Sequence, residues 1–444
     1  MQNPQLIFLA FVALFYMSCG GTRNLQKVEL PVTVTESAVF EGGFTGFTLY
    51  DPARREYVYE QNADKLFTPA SNTKILTLYA ATQLLPEQVP AIRYLEQGDT
   101  LIFWGTGDPG NLNPFLPDNG LVEFLRNRPE RNLLYCAGNF QDDRYGAGWM
   151  WDDYGYYFQP EKSPLPLYGN MVRFVRDPRE VGFFVQPAVF ANLTVLNPNL
   201  GGTGPLVVRR ETENIFEYNP RALTGTAYEK YLPYRIAPEL TQTLLRDTVA
   251  RPVRLLNIDI LPPPDAPEVL GSFTDDLLRE MMHESDNFIA EQLLLLISNE
   301  YFAGLNTDAA LQLATDSLYN DLPQPIRWVD GSGLSRYNLV SPRDLTTVLE
   351  RLYFSMPQNR LFDLFPAGGQ HGTIQNWYAG EDGQPYVWAK TGTLRGVHCL
   401  SGYLITDSGK VLIFSFMHNN IPGASKPYKE EMERILSTIR RTYK

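Results

Sequence analysis

The chain has 444 residues, a net charge of −12 and a sequence pI of about 5.0. Apolar residues are 44% and charged residues 20% of it, a globular balance that excludes a disordered or fibrous chain and leaves room for more than one domain. The acidic balance argues against a nucleic-acid surface, which needs clustered Lys and Arg.

Residues 6–17, LIFLAFVALFYM, form an apolar block too short for a membrane span. It runs into SCGGTRN, where Cys19 follows Ser18 and precedes two glycines. The pattern resembles a bacterial secretory signal over residues 1–19 ending in a lipoprotein cleavage box. Export to the periplasm or cell envelope is expected, with membrane association through a lipidated Cys19. No Lys or Arg precedes the block, so a simple cleaved signal peptide and an uncleaved anchor stand as alternatives.

Residues 43–62 predict a hairpin, with β-rich arms around DPARRE. In FTPASNTKILTLYAATQLL, residues 67–85, the residues Ile75, Leu76, Leu78, Ala81, Leu84 and Leu85 recur at helical spacing. Ser71 stands at the start of that helix, where a serine is a good cap. From about 95 to 260 short apolar or alternating runs lie between Gly, Pro and Asn clusters, which predicts strands and loops. PPPDAP at 262–267 punctuates the chain.

Helical spacing returns in GSFTDDLLREMMHESDNFIAEQLLLLI, with Ser272 and Asp275 as a capping box and a second helix after SDN. Ser341, Pro342 and Asp344 make another helix start. The strands PYVWAKTGTL, HCLSGYLITD and KVLIFSFMHN follow, then a helix carrying Met432, Ile435, Leu436 and Ile439. The simplest assembly is one α/β (α+β) domain built from residues 36–90 and 266–444, with a β-rich insertion over 91–265. Cys136 and Cys399 are far apart and read as buried free thiols; HESDN at 283–287 is not HExxH. No metal and no cofactor is expected.

Ser71 and Lys74, three residues apart, are neighbours on a helix. Free N–H groups at a helix start favour developing negative charge. Serine is a weak nucleophile until a base takes its proton. Lysine is such a base only when neutral, and at its reference pKa only about one in 2,500 is neutral at pH 7. Neutrality takes roughly 4–5 kcal/mol of bias from burial or a nearby cation, so a second positive charge is expected in the site. AKTGTLRG at 389–396 holds one. Lys390 ends an alternating strand, Thr391 adds a hydroxyl, Gly392 lets the strand lie close to a ligand, and Thr393 offers a backbone N–H for an oxyanion. SDN at 285–287 adds Ser285, able to relay a proton to a leaving amine, and Asn287, whose amide both donates and accepts. Ser71 is the only serine with Lys at +3, and KTG occurs once.

SxxK, SDN and KTG in this order resemble the penicillin-binding proteins and serine β-lactamases. The finer resemblance is to the D-alanyl-D-alanine carboxypeptidase/endopeptidase family, the low-molecular-mass class C penicillin-binding proteins. It rests on NADKLFTPASNTKILT, GTGDP at 105–109, GWMWDDYGYYFQP at 148–160 and SDNFIAEQLLL at 285–295. DGSGLSRYNLVSP at 330–342, FPAGGQHGTI at 365–374 and AKTGTLRGVHCLSGYL at 389–404 complete it, so that it spans nearly all of residues 40–420. After HGTI the chain reads QNWYAG, where the family usually shows an arginine. Tyr168-Gly169-Asn170 is a Tyr-x-Asn of the kind that replaces SDN in related enzymes; it sits in the β-rich insertion, and SDN is preferred.

The resemblance implies a penicilloyl-serine-transferase fold, an antiparallel sheet flanked by helices, with a large insertion between SxxK and SDN. It implies that Lys74 activates Ser71, that Ser285 relays a proton, and that Asn287, Lys390, Thr391 and Thr393 bind substrate. The substrate is then a peptidoglycan stem peptide ending in D-Ala-D-Ala, cleaved through an acyl-Ser71 intermediate, with β-lactams as inhibitors. Alternatives are a β-lactamase or esterase on the same fold, or a non-catalytic envelope lipoprotein that binds cell wall. Three plainer expectations complete the reading. The aromatic residues of GWMWDDYGYY are expected to pack in a core, with lining of the cleft as the alternative; Gly331, Gly333 and Ser335 shape a loop behind the site, and Asp286 is an exposed turn residue.

Overall fold

Strands Phe44–Asp51 and Glu56–Gln61 pair antiparallel as the expected hairpin. The computed structural model describes residues 37–179, 183–201, 206–219, 227–381 and 383–444; the signal-like segment with Cys19 lies outside them. The hairpin alone would be marginal in water. It is completed by three strands from the far end of the chain, Val387–Leu394, Val397–Ile405 and Val411–Asn419. The resulting sheet is antiparallel throughout, with Phe44–Asp51 beside Val411–Asn419 and Val387–Leu394 at one edge.

Both faces of this sheet are covered, which is why its central strands read as near-continuous apolar runs. On Val411–Asn419, Ile413 and Met417 join a core with Ile75, Leu78, Met281, Leu293 and Leu349. Leu412, Phe414 and Phe416 join a second core with Met432, Ile435, Leu436 and Ile439 of the closing helix Lys426–Thr442. The first face carries the helices Lys74–Leu84, Thr274–His283, Asn287–Tyr301 and Pro342–Ser355. Asn287–Tyr301 runs through the middle of this layer and is buried over nearly its whole length.

Between Lys74–Leu84 and Thr274–His283 lies a third core built on a separate five-stranded sheet. Its strands Gln88–Gln97 and Glu268–Phe273 pair antiparallel, so the chain leaves and re-enters the helical layer at one place. Against the expectation of strands and loops alone, this region also holds two helices, Leu121–Asn127 and Pro238–Val249. Both are short and amphipathic; Leu244, Leu245 and Val249 of the second face the third core.

The capping box expected at Ser272 and Asp275 does not form. The helix starts at Thr274 without a side-chain cap, and Ser272 serves a different partner. Asp108 of GTGDP is fully buried and accepts from Gly110 N (2.9 Å), Asn119 Nδ2 (2.8 Å), Ser272 N (3.0 Å) and Ser272 Oγ (2.7 Å). Burial pushes its carboxyl above the ordinary range against those hydrogen bonds. Gly271 leaves room for it, since a Cβ there would lie 2.1 Å from Asp108 Oδ2. Asp108→Ala strands these donors in a dry site and is expected to destabilise the protein by roughly 2–4 kcal/mol. Urea unfolding at unchanged slope measures it, and a change within about 0.5 kcal/mol, the scale of a surface substitution, refutes this role.

Candidate active site

Ser71 lies in a 3₁₀ turn, Ala70–Thr73, that leads into the helix Lys74–Leu84. Its hydroxyl caps neither element. Ala70, just before it, is held at φ +49°, a conformation non-glycine residues adopt at a cost. The turn is gripped from both sides by backbone. Gly333, at φ +85°, packs so closely that a Cβ would fall 2.0 Å from Ala70 O. A Cβ on Gly392 would fall 2.4 Å from Pro69 O and 3.0 Å from Ser71 N. Asn72 Nδ2 donates to Lys390 O at 2.8 Å and ties the turn to the edge strand.

Lys74 is fully buried and its Nζ reaches Asn287 Oδ1 at 2.6 Å, Ser332 O at 2.7 Å and Ser71 Oγ at 3.2 Å. Asn287 begins the helix Asn287–Tyr301, which Asp286 caps through Ile289 N at 2.8 Å. Asp286 is half-buried rather than exposed. Ser285 is held at φ +61°, and its Oγ accepts from Lys390 Nζ at 2.8 Å. Lys390 is fully buried and also donates to Thr391 O at 2.9 Å. Two networks therefore meet at one cavity of about 950 Å³, lined by Ser71, Ser285, Asn287, Thr391 and Thr393.

The edge strand presents its amides by simple alternation. The two-residue turn at 395–396 closes on the pair Leu394 and Val397, so the N–H groups of Ala389, Thr391 and Thr393 point away from the neighbouring strand. Ala389 N donates outward to Pro366 O at 3.1 Å. Thr391 and Thr393, next along the same row, line the cavity. Thr391 Oγ1 is 2.7 Å from Thr373 Oγ1, and Thr393 Oγ1 is 2.9 Å from His398 Nδ1.

Burial is the main force on both lysines. It lowers the Lys74 pKa to about 8, against the carboxylates of Asp286, Asp330 and Glu291, which pull it up. Burial also carries Lys390 well below its ordinary value, with the charge of Lys74 adding to the effect. The expected second positive charge is present, but the missing water, not Lys390, is what lowers Lys74. A neutral amine costs less in a dry site than an ammonium.

Several members of this constellation sit in segments that carry the family resemblance, yet their residue types alone point to no role. Glu291 accepts from Gly331 N (3.1 Å) and Ser332 N (2.8 Å), which holds the Ser332 carbonyl against Lys74. Its own carboxyl is pushed up to about 7 by burial and then by Asp330. Asp330 accepts from Gly333 N (2.8 Å), Ser335 N (2.6 Å), Asn338 Nδ2 (2.7 Å) and Trp149 Nε1 (2.9 Å). Asn287 Nδ2 donates to Phe158 O at 2.9 Å, which orients its amide so that the oxygen faces Lys74. The segment 149–158 thus touches the site directly, and Met150, Asp152, Asp153, Tyr157 and Phe158 line the cavity rather than pack in a core. Asn170 of the Tyr-x-Asn is buried on Glu161 O and Ser163 Oγ and does not line the cavity. Cys136 and Cys399 are buried free thiols.

Helices over both faces of an antiparallel sheet, a helix-start serine and two buried lysines define a serine peptidase of the penicilloyl-serine-transferase fold. The profile of the D-Ala-D-Ala carboxypeptidase 3 (S13) family matches residues 28–250 and 266–439, and the chain belongs to that family. It is 27% identical over 417 residues to the D-alanyl-D-alanine carboxypeptidase DacB of Haemophilus influenzae, covering 84% of this chain and 85% of that one. To the D-alanyl-D-alanine carboxypeptidase of Actinomadura sp. strain R39 it is 28% identical over 466 residues, 91% of this chain and 83% of the other. The crystal structure of penicillin binding protein 4 (dacB) from H. influenzae has the same fold, with a TM-score of 0.71 at 20% identity over 90% of this chain and 96% of that one.

Gly392→Ala is expected to lower stability by roughly 1–3 kcal/mol, the range for overpacking, because its methyl group meets backbone and not a side chain that can turn away. An unaltered urea midpoint would show that the edge strand does not rest on the serine turn.

Proposed function

We propose that this protein cleaves peptidoglycan stem peptides that end in D-Ala-D-Ala, through an acyl-Ser71 intermediate. The observation that carries the reading is the environment of Lys74 Nζ. Asn287 Oδ1 and Ser332 O take two N–H bonds, and the remaining direction faces Ser71 Oγ at 3.2 Å. In the neutral amine that direction holds the lone pair. Lys74 then accepts the Ser71 proton as Oγ attacks the penultimate D-Ala carbonyl.

The developing oxyanion is met by the backbone N–H groups of Ser71 and Thr393, and such stabilisation is usually the largest catalytic contribution. Ser285, hydrogen-bonded to Lys390, hands a proton to the departing amine as the C–N bond breaks. Thr391 meets the terminal carboxylate. An NH2 group has two donors, so Asn287 keeps one for the acyl chain after bonding Phe158 O. The proton that Lys74 took replaces the one Ser285 gave; water then adds to the acyl carbonyl, and its proton returns to Ser71 Oγ as the ester bond breaks. When the departing amine belongs to a second stem peptide, the same steps are endopeptidase cleavage; a cavity of about 950 Å³ is at the large end for ligand sites and leaves room for one. A β-lactam acylates the same oxygen. The envelope is the setting this substrate requires, and Cys19 as a lipidated residue after export fits it. Among the described residues no helix is long and apolar enough to cross a membrane.

A fluorescent penicillin should label the protein covalently and fail to label Ser71→Ala; persistent labelling of that variant sinks the assignment. The pH profile is a separate check. Neutral Lys74 is the active form, so the labelling rate should rise with pH through about 8. Asp286→Asn keeps a good helix cap and removes the carboxylate that most strongly favours the ammonium, so the rising limb should move to lower pH. A limb that stays put or moves upward contradicts Lys74 as the base.

A further inference from the structure

The segment 149–158 holds the largest exposed aromatic group near the cavity. Trp151 is 74% exposed, Tyr157 68%, and Met150 and Tyr156 52% each. Exposed apolar groups gathered on one turn mark a contact surface more often than scattered ones do. The turn is also pinned. Trp149 Nε1 donates to Asp330 at 2.9 Å, Phe158 O accepts from Asn287 at 2.9 Å, and Gln159 Nε2 closes the base on Met150 O at 3.1 Å. Tyr156 stacks on Phe158 with ring centroids 5.4 Å apart and planes 9° from parallel. A ring already held in this way loses little freedom on binding.

We propose that Trp151 and Tyr156 form a rim that binds the neutral glycan strand from which the substrate peptide hangs, each ring stacking on the C–H face of a sugar. The inference rests on the stem-peptide reading of the cavity and extends it to the strand. Four residues span at most roughly 14 Å, so a peptide whose fourth carbonyl lies at Ser71 carries its sugar out near the mouth. Met150, Asp152, Asp153 and Tyr157 continue the same surface into the cavity. Carboxylates between rings accept hydrogen bonds from sugar hydroxyl and acetamido groups and repel a polyanion. A protein partner is less well matched, because a stable interface needs about 800 Å² a side with charge depleted at its centre, and this rim is one short turn holding two carboxylates.

The test uses the whole protein and glycan strands stripped of their stem peptides, with each lactyl carboxyl that stripping frees converted to its methyl amide so that the strands stay neutral. Wild type should be retained on the strands. The double variant Trp151→Ala/Tyr156→Ala should bind about tenfold more weakly, the loss expected for two modest ring contacts. Both proteins should release D-Ala from a free pentapeptide at the same rate, while KM for the strand-linked pentapeptide rises in the variant. Equal retention of the two proteins, or no retention of wild type, overturns the proposal. So does a wild-type dimer that the double variant loses without any binding to strands. If wild type releases no D-Ala from the free pentapeptide, the cleavage reading fails, and retention on peptide-free strands still decides the rim.

Discussion

The structure is organised around a primary amine with no access to water. Lys74 has zero exposure, and an ammonium in that position costs several kcal/mol unless it is met closely. The protein meets it with the neutral oxygens of Asn287 and Ser332 at 2.6 and 2.7 Å. The negative charges of Asp286, Asp330 and Glu291 act from further back. Direct contact with a carboxylate would lock the proton on. This arrangement brings the amine down to a pKa of about 8, within reach of neutral pH, with the Ser71 hydroxyl beside it.

Keeping that volume dry demands close approach of backbone to backbone. Gly333 and Gly392 clamp the Ser71 turn with no space for a methyl group, and Ala70 and Ser285 sit at φ +49° and +61°. Strain at both positions is held by what surrounds them, the central helix Asn287–Tyr301 beneath and the sheet edge alongside. The inserted segment is part of this enclosure. Its Phe158 carbonyl orients Asn287, and its Trp149 completes the ring of donors on Asp330. Asp108 fastens the point where the chain re-enters, through Ser272. The serine, the lysines and the insertion are therefore one mechanical unit.

Where a local pattern was strong, the sequence was legible. The opening hairpin, the Pro342–Ser355 helix with its Ser341 and Asp344 capping box, the three closing strands and the amphipathic last helix all lie where spacing put them. Where one residue type serves two purposes, the reading failed. Ser272 has the spacing of a cap, but a buried carboxylate more than a hundred residues away claims its hydroxyl. Trp151 and Tyr157 have the composition of a core and stand in solvent, Tyr157 in the lining of the cavity. Asp286 looked like an exposed turn residue and is half-buried beside a lysine.

Which groups are available and where regular elements begin can be read along the chain, because helical and strand periods and the spacing of SxxK, SDN and KTG are local properties. The sequence also pointed to a lysine whose pKa must fall. The reason it falls lies in the folded arrangement. Desolvation depends on everything packed around Nζ, and that shell comes from the Asn287 helix, the Ser332 carbonyl and the Lys390 strand together. The same holds for Glu291 and Phe158. Their roles are carried by contacts between distant segments, and no window along the chain contains both partners.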